Sequence, residues 1–146
     1  MSSPAPPPGP SRGLIARMLA AVTLGYTLFL VWATHHPRPD LLLGPDAPSD
    51  KTLHFLAYGA LAVLAAGTLA LGRRWTVPRS AMLCGGLAAF AAVDEATQPL
   101  FQRDAEWMDW VCDGGGIIVG LVAVAAAVAV VRLVRGRQDQ LGVGGR

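Results

Sequence analysis

Nine polar residues of the sequence have types and spacings that suit ligand binding or acid–base chemistry. They are Asp50, Lys51, His54, Tyr58, Glu95, Gln98, Arg103, Asp109 and Asp113. Carboxylates, an imidazole and two cations can together orient a polar ligand or transfer protons. Within each segment the members recur at three- or four-residue spacing, which stacks them on one face of a helix. A shared site therefore requires three helices whose polar ends lie next to one another.

The first segment places Asp50, His54 and Tyr58 at four-residue spacing, with Lys51 beside them. One interpretation is a polar stripe that faces the interior of a helical bundle. The alternative is that Asp50 caps the helix N-terminus, while His54 and Tyr58 anchor the helix at a membrane interface. For Asp50 alone the cap is favoured, whereas His54 together with Tyr58 favours a site.

The second segment places Glu95 near the end of a long apolar run. A charged side chain in a membrane helix costs about 2.5 kcal/mol or more at mid-bilayer and less near the interface, so this carboxylate needs a partner. The available partners are Arg103, Lys51 and His54. The alternative is that Glu95 forms a structural ion pair and that the neighbouring Asp94 faces interfacial water.

The third segment continues Asp109 and Asp113 into Gly116 and Gly120 on one helical stripe. The glycines predict close helix packing, since small residues let membrane helices approach each other. Asp109 has a second interpretation, because a carboxylate in the first turn is stabilised by the helix dipole.

Four apolar stretches must position these residues. They are Leu14–Thr34, Thr52–Leu71, Arg79–Gln98 and Trp107–Val131. The chain is 53% hydrophobic and only 15% charged, and each stretch has about the 20 residues that a membrane helix needs. The stretches lack the strict alternation of membrane strands. The sequence therefore predicts an all-α integral membrane protein, a four-helix bundle with short loops.

The flanking segments predict the domain limits and the orientation. Residues 1–12 read as a disordered Pro-rich tail, residues 13–135 as the four-helix domain, and residues 136–146 as a flexible tail. Arginines concentrate around the start of the first stretch, around the turn between the second and third, and after the fourth. By the positive-inside rule both termini are then cytoplasmic, and the nine polar residues lie at the outer face.

Taken together, these motifs resemble the VanZ-like family of small bacterial membrane proteins. The Asp-Lys-x-x-His-x-x-x-Tyr segment matches at residues 50–58. The later pattern of Glu-x-x-Gln, Arg, Asp and Gly matches at Glu95, Gln98, Arg103, Asp109 and Gly116. Asp113 stands where the family commonly has Asn, which adds a carboxylate. The resemblance implies a location in the bacterial inner membrane and a role in the cell envelope. The family is named for a protein associated with low-level teicoplanin resistance.

Three functions remain open from the sequence. The leading hypothesis is binding of a polar ligand at the outer face, with membrane lipids or a lipid-linked envelope precursor as partner. The second is an intramembrane enzyme that uses His54 with Glu95, Asp109 and Asp113. The third is a structural helper subunit of an envelope complex. No cofactor or metal is expected, since the HExxH-type spacing is missing, and the arginines form no stripe of the kind that binds nucleic acid.

Overall fold

A computed structural model describes residues 11–37, 44 and 48–140, except for the side chain of residue 139. Within these residues the chain is helical and has no strand, as the sequence predicts. The α-helices are α1 Arg12–Thr34, α2 Asp50–Leu71, α3 Val77–Thr97 and α4 Trp107–Gln140, and a 3-10 helix, Gln98–Phe101, follows α3. Most of the predicted N-terminal tail, residues 1–10, and residues 141–146 of the C-terminal tail lie outside the described part.

Three of the four α-helices, α1, α2 and α4, are long and apolar enough to cross a membrane. The fourth, α3, has 21 residues, but Arg79 near its start and Asp94 and Glu95 near its end lower its hydropathy. Large apolar side chains cover the outside of the helices; Leu28 is 64% exposed and Val122 is 61% exposed. An exposed apolar surface of this kind suits contact with lipid rather than water.

The closest pair of helices is α2 with α4, which run parallel. Their first turns meet where Lys51 Nζ lies 3.5 Å from Asp109 Oδ1. Further along, a Cβ added to Gly120 would lie 2.6 Å from the carbonyl oxygen of Gly59, and one added to Gly116 would overlap the carbonyl oxygen of Phe55. The predicted close packing at both glycines is confirmed. Because α2 and α4 run in the same direction, α3, which connects them in the chain, must run in the opposite direction along the bundle.

The helices α1 and α3 flank this central pair. A small core of residues less than 3% exposed, which includes Tyr58, Leu61 and Ile117, lies between the helices. At one end α1 meets α3, where Thr34 Oγ1 donates a hydrogen bond to Asp94 Oδ1 over 3.1 Å. The polar end of the bundle is thus closed by all four helices.

The helix ends follow local sequence signals, with two departures from the predictions. Ser49, not Asp50, caps α2, because its hydroxyl accepts the backbone N–H of Thr52 over 3.3 Å. Pro99 ends the regular helix as predicted, and α3 gives way to the 3-10 helix after Thr97. At the other end of the chain, residues 136–140 are helical although the sequence predicts a flexible tail there. A single Gly136 is not enough to stop a helix.

The turn between α2 and α3 places an arginine in an unusual conformation. Arg73 has a φ of 56°, in the left-handed region that favours glycine. The backbone N–H of Arg73 donates to Ala70, and that of Arg74 donates to Leu69. This is a Schellman ending, in which the left-handed position usually holds glycine.

Candidate functional site

Seven polar side chains are buried at the end of the bundle where α2 and α4 begin. They are Thr34, His54, Asp94, Glu95, Gln98, Asp109 and Asp113, each at most 8% exposed. A buried charge or amide is costly unless it is paired or hydrogen-bonded, so the contacts among these groups decide whether the arrangement is stable. We call these residues, with His35, Asp50, Lys51, Tyr58, Arg103 and Glu106, the polar site.

The His54 and Tyr58 stripe of α2 faces the bundle interior. His54 Nδ1 lies 3.0 Å from Asp113 Oδ1, and the Tyr58 hydroxyl donates to Asp94 Oδ2 over 3.0 Å. His54 is 4% exposed and Tyr58 is fully buried. The alternative of two interfacial anchors is therefore wrong, and each side chain instead bridges α2 to a carboxylate on another helix.

Asp94 is a central acceptor of the polar site, so the alternative in which it faces interfacial water is wrong. Its two oxygens accept the hydroxyls of Thr34 and Tyr58, and His35 Nδ1 lies 3.5 Å away. His35 in turn contacts α3, since its Nε2 lies 2.9 Å from Thr97 Oγ1. The sequence reasoning missed Thr34 and His35. Their signal was a polar pair at the end of the first apolar stretch, in which Thr34 is the last residue and His35 follows directly.

Glu95 is held by neutral donors rather than by a cation. The Gln98 amide donates to Glu95 Oε2 over 3.0 Å, and the backbone N–H of Glu106 donates to Glu95 Oε1. Hydrogen bonds of this kind satisfy a carboxylate without a formal ion pair. They also fasten the loop before α4 to the end of α3. Of the three available partners of Glu95, Arg103 contacts Asp50, Lys51 contacts Glu106 and His54 contacts Asp113.

Arg103 instead joins α1 to α2. Its Nη1 donates to the Thr34 carbonyl over 3.0 Å, and its Nη2 lies 3.3 Å from Asp50 Oδ2. The residue before it, Gln102, has a φ of 62°, and this left-handed turn ends the 3-10 helix and directs the chain back. The guanidinium satisfies the carbonyl of Thr34, the last residue of α1, where a cation also complements the helix dipole.

Lys51 connects the start of α2 to the loop and to α4. Its ammonium lies 2.7 Å from Glu106 Oε2 and 3.5 Å from Asp109 Oδ1. The hydrogen bond and charge of Lys51 lower the pKa of the exposed Glu106 carboxyl below its ordinary value. The contact with Asp109 lacks hydrogen-bond geometry. Among the described residues, Asp109 Oδ1 and Gln98 Oε1 are the buried side-chain oxygens that have no hydrogen-bond partner.

An open cavity of about 400 Å³ lies between α1 and α2, against the polar site. We call it the α1–α2 cavity. Its wall is apolar and includes Phe29, Trp32, Ala33, Leu53 and Ala57. Its polar lining is formed by Thr34, Asp50, His54, Tyr58 and Arg103. A site that is apolar on one side and polar on the other matches the two parts of an amphiphilic molecule.

The polar site carries an excess of negative charge. Six carboxylates, at positions 50, 94, 95, 106, 109 and 113, face the two cations Lys51 and Arg103, so the formal charge is −4 with both histidines neutral. Ligand atoms of Asp50, His54 and Asp109 lie within 4.8 Å of one another, close enough to hold one metal ion. However, Arg103 already pairs with Asp50, and Lys51 lies beside Asp109. Protons or an organic cation would relieve the same excess charge.

The structure thus brings the nine sequence-predicted residues to one end of the bundle. Eight of them belong to contacts that join different helices or a helix and a loop, and Gln98 supports Glu95 within its own segment. No protein-family model, curated protein or solved structure matches the chain. The polar site therefore has to be interpreted from its own geometry.

Proposed function

We propose that the chain is a VanZ-like protein that crosses the bacterial inner membrane four times, with both termini cytoplasmic. The parallel course of α2 and α4 supports four crossings, because α3 must return along the bundle. With 21 residues, α3 reaches about 30 Å, the thickness of the hydrocarbon. Arginines of α1, α4 and the α2–α3 turn line one surface at the end opposite the polar site, as the positive-inside rule requires of cytoplasmic segments.

The proposed activity is binding of an amphiphilic ligand at the outer face. A lipid headgroup or a lipid-linked envelope precursor supplies the needed chemistry. The observation that carries this proposal is the α1–α2 cavity, in which an apolar wall on the lipid side meets Arg103, Asp50 and His54. An acyl or polyprenyl chain fits the wall, and the headgroup fits the polar lining.

The charges of the cavity favour a headgroup with both signs. Arg103 offers guanidinium N–H groups to a phosphate. Asp50, 45% exposed at its side chain, can accept an amine. Because carboxylates outnumber cations in the polar site, a phosphate alone would be less favourable than a phosphate next to an amine or a peptide. A protein that engages such an envelope precursor could also affect resistance to teicoplanin, a role that we include in the proposal.

Photocrosslinking at the cavity tests this function. A photoreactive amino acid is placed at Leu53, which lines the cavity, and the adduct formed in native membranes is identified by mass spectrometry. The matched position is Leu56, 55% exposed on the same helix and outside the cavity lining. We expect an amphiphile enriched at Leu53 relative to Leu56.

A pair of cavity variants sharpens the result. Ala33→Phe fills the cavity without touching the hydrogen bonds of the polar site, whereas Ala21→Phe adds the same volume to an exposed position of α1. The enriched adduct should disappear in the first variant and persist in the second. The same lipid profile at both crosslinking positions, or an adduct that survives Ala33→Phe, would refute the proposal.

A second candidate function is an intramembrane enzyme. It is favoured by the His54–Asp113 pair, since a carboxylate that holds one imidazole nitrogen is the usual arrangement of a general base, and His54 lines the cavity. A metal-dependent version would use Asp50, His54 and Asp109. Metal analysis of the purified protein and of Asp109→Asn tests that version. Equal metal content in both, or none in either, removes it.

A structural helper subunit is the third candidate, favoured by the hydrogen bonds that join all four helices. Asp50→Asn separates it from ligand binding. A structural pair keeps function in this variant, because the amide oxygen still accepts from Arg103 and the bond from Arg103 to the Thr34 carbonyl remains. A headgroup site loses function, because the carboxylate that accepts the amine is gone.

The orientation has its own test. Reporter fusions at Arg74 and Arg103 should report the cytoplasm and the outer side, respectively, and Pro45 should behave like Arg103. An outward Arg74 would overturn the proposed topology, whatever the ligand.

A further inference from the structure

A second cavity, of about 640 Å³, lies at the end of the bundle opposite the polar site. It opens between α1, α2 and α4. Its walls are apolar and include Leu19, Val63, Leu64 and Val128. Its rim carries four arginines from three different parts of the chain, Arg12, Arg73, Arg132 and Arg135. We call this surface the arginine groove.

Among the side chains that the structure describes, no carboxylate neutralises the arginines of this groove. None of the four forms an ion pair with an Asp or Glu among the residues that the structure describes. No acidic residue of the described ranges lines the groove either. Four positive charges around one opening repel one another, so an anion placed among them is stabilised.

The turn after α2 places Arg73 at the groove in a backbone conformation that is unfavourable for a residue other than glycine. Arg73 occupies the left-handed position of the turn after α2, where glycine is the usual residue. The residue directly before it, Gly72, has an ordinary φ of −72° and does not take that position. Positive charge anywhere near the helix ends is enough to orient the protein in the membrane. The convergence of arginines from three segments on one opening is therefore not explained by orientation alone.

We propose that the arginine groove binds an anionic phospholipid, with its phosphate among the arginines and an acyl chain along the apolar wall. Guanidinium groups bind phosphate oxygens with paired hydrogen bonds. Basic pockets between membrane helices are suited to anionic lipid headgroups. Trp75, half-buried in the lining, lies where an indole ring contacts the headgroup region. This site is separate from the α1–α2 cavity and does not depend on the ligand proposed there.

Quenching of Trp75 fluorescence by brominated lipids measures the binding directly. The protein is reconstituted with Trp32, Trp107 and Trp110 replaced by phenylalanine, which is feasible because all three are at least 43% exposed. Bilayers contain phosphatidylcholine with a small fraction of brominated phosphatidylglycerol or, in parallel, brominated phosphatidylcholine. We expect stronger quenching by the anionic lipid and a selectivity that falls as salt is raised.

Two charge-matched double variants separate a site from a diffuse positive surface. Arg132→Gln with Arg135→Gln removes two arginines from the groove, and Arg74→Gln with Arg137→Gln removes two that do not line it. The first pair should lower the selectivity by about fivefold for each arginine lost, and the second should change it little. Arg73→Gly should also lower it and should keep the fold, since glycine suits the left-handed turn.

A volume variant tests the apolar part. Ala127→Phe fills the groove, whereas Ala129→Phe adds a ring to an exposed position on the same helix outside it. Selectivity should fall only in the first. Equal quenching by both lipids in the parent protein would overturn the proposal. So would equal losses in the two arginine pairs, or a selectivity unchanged by Ala127→Phe.

Discussion

The contact between α2 and α4 at Gly116 controls the polar site, and Gly116→Ala tests this. An alanine Cβ would lie 2.9 Å from the Gly59 nitrogen, 3.0 Å from the Phe55 carbonyl carbon, and would overlap the Phe55 carbonyl oxygen. These atoms are helix backbone and cannot rotate away as a side chain can. An ordinary contact needs 3.4 Å. The Gly59 nitrogen alone requires the helices to separate by about 0.5 Å, the difference between 2.9 and 3.4 Å, and the nearer Phe55 oxygen requires more.

That separation reaches the His54–Asp113 hydrogen bond, one turn before Gly116. The bond is 3.0 Å long, and an opening of about 0.5 Å would bring it to the limit of a hydrogen bond. Overpacking costs about 1–3 kcal/mol. A buried hydrogen bond between membrane helices adds about 0.6 kcal/mol on average and up to about 1.7. We therefore expect Gly116→Ala to lower the free energy of unfolding by about 2–4 kcal/mol.

The assay is unfolding by sodium dodecyl sulfate in mixed micelles, followed by tryptophan fluorescence. Gly114→Ala is the matched control, since it lies on the same helix and its added Cβ meets no atom within 4 Å. Alanine is the better helix former by about 1 kcal/mol, so the control should be neutral or stabilising. Equal stability of the two variants would refute the claim that the helix backbones meet at Gly116.

Two further perturbations probe single contacts. Tyr58→Phe removes a donor from the buried Asp94 carboxylate and should lower the free energy of unfolding by about 1–3 kcal/mol, as measured in the same titration; no change would mean that the hydrogen bond is not formed. Lys51 lowers the pKa of Glu106, so the stability contributed by this pair is present above the ordinary glutamate pKa and lost as the pH falls through the lowered value. Carboxyl NMR should show Glu106 titrating below an ordinary glutamate, and Lys51→Met should raise that pKa; an unchanged pKa would contradict the assigned contact.

The amino-acid pattern was sufficient to predict the helices, because each one depends on local signals. Apolar length marked α1, α2 and α4, and Pro99 marked the end of α3. The charged residues of α3 made it the weakest of the four by hydropathy. The periodic spacing of His54 and Tyr58 also predicted a shared face, since side chains four residues apart stack on any helix.

The sequence pattern did not predict which polar residues pair with one another. Arg103 was one of three available partners of Glu95, yet Glu95 accepts neutral N–H groups and Arg103 binds Asp50 and the end of α1. Opposite charge did not identify the partner of Glu95, because a backbone N–H in a tight loop can satisfy a carboxylate in place of a cation. Local pattern could not identify the partners of Asp94, because its donors are side-chain hydroxyls on two other helices.

The sequence by itself determined which segments are helices and which end of each helix is polar, because helix formation and hydropathy are properties of neighbouring residues. Only the tertiary structure decided which carboxylate faces which donor, and where the two cavities open. Those features depend on the rotation and separation of packed helices. At Gly116 and Gly120 the absence of a side chain lets the backbones of α2 and α4 approach, and that approach sets the distances across the polar site.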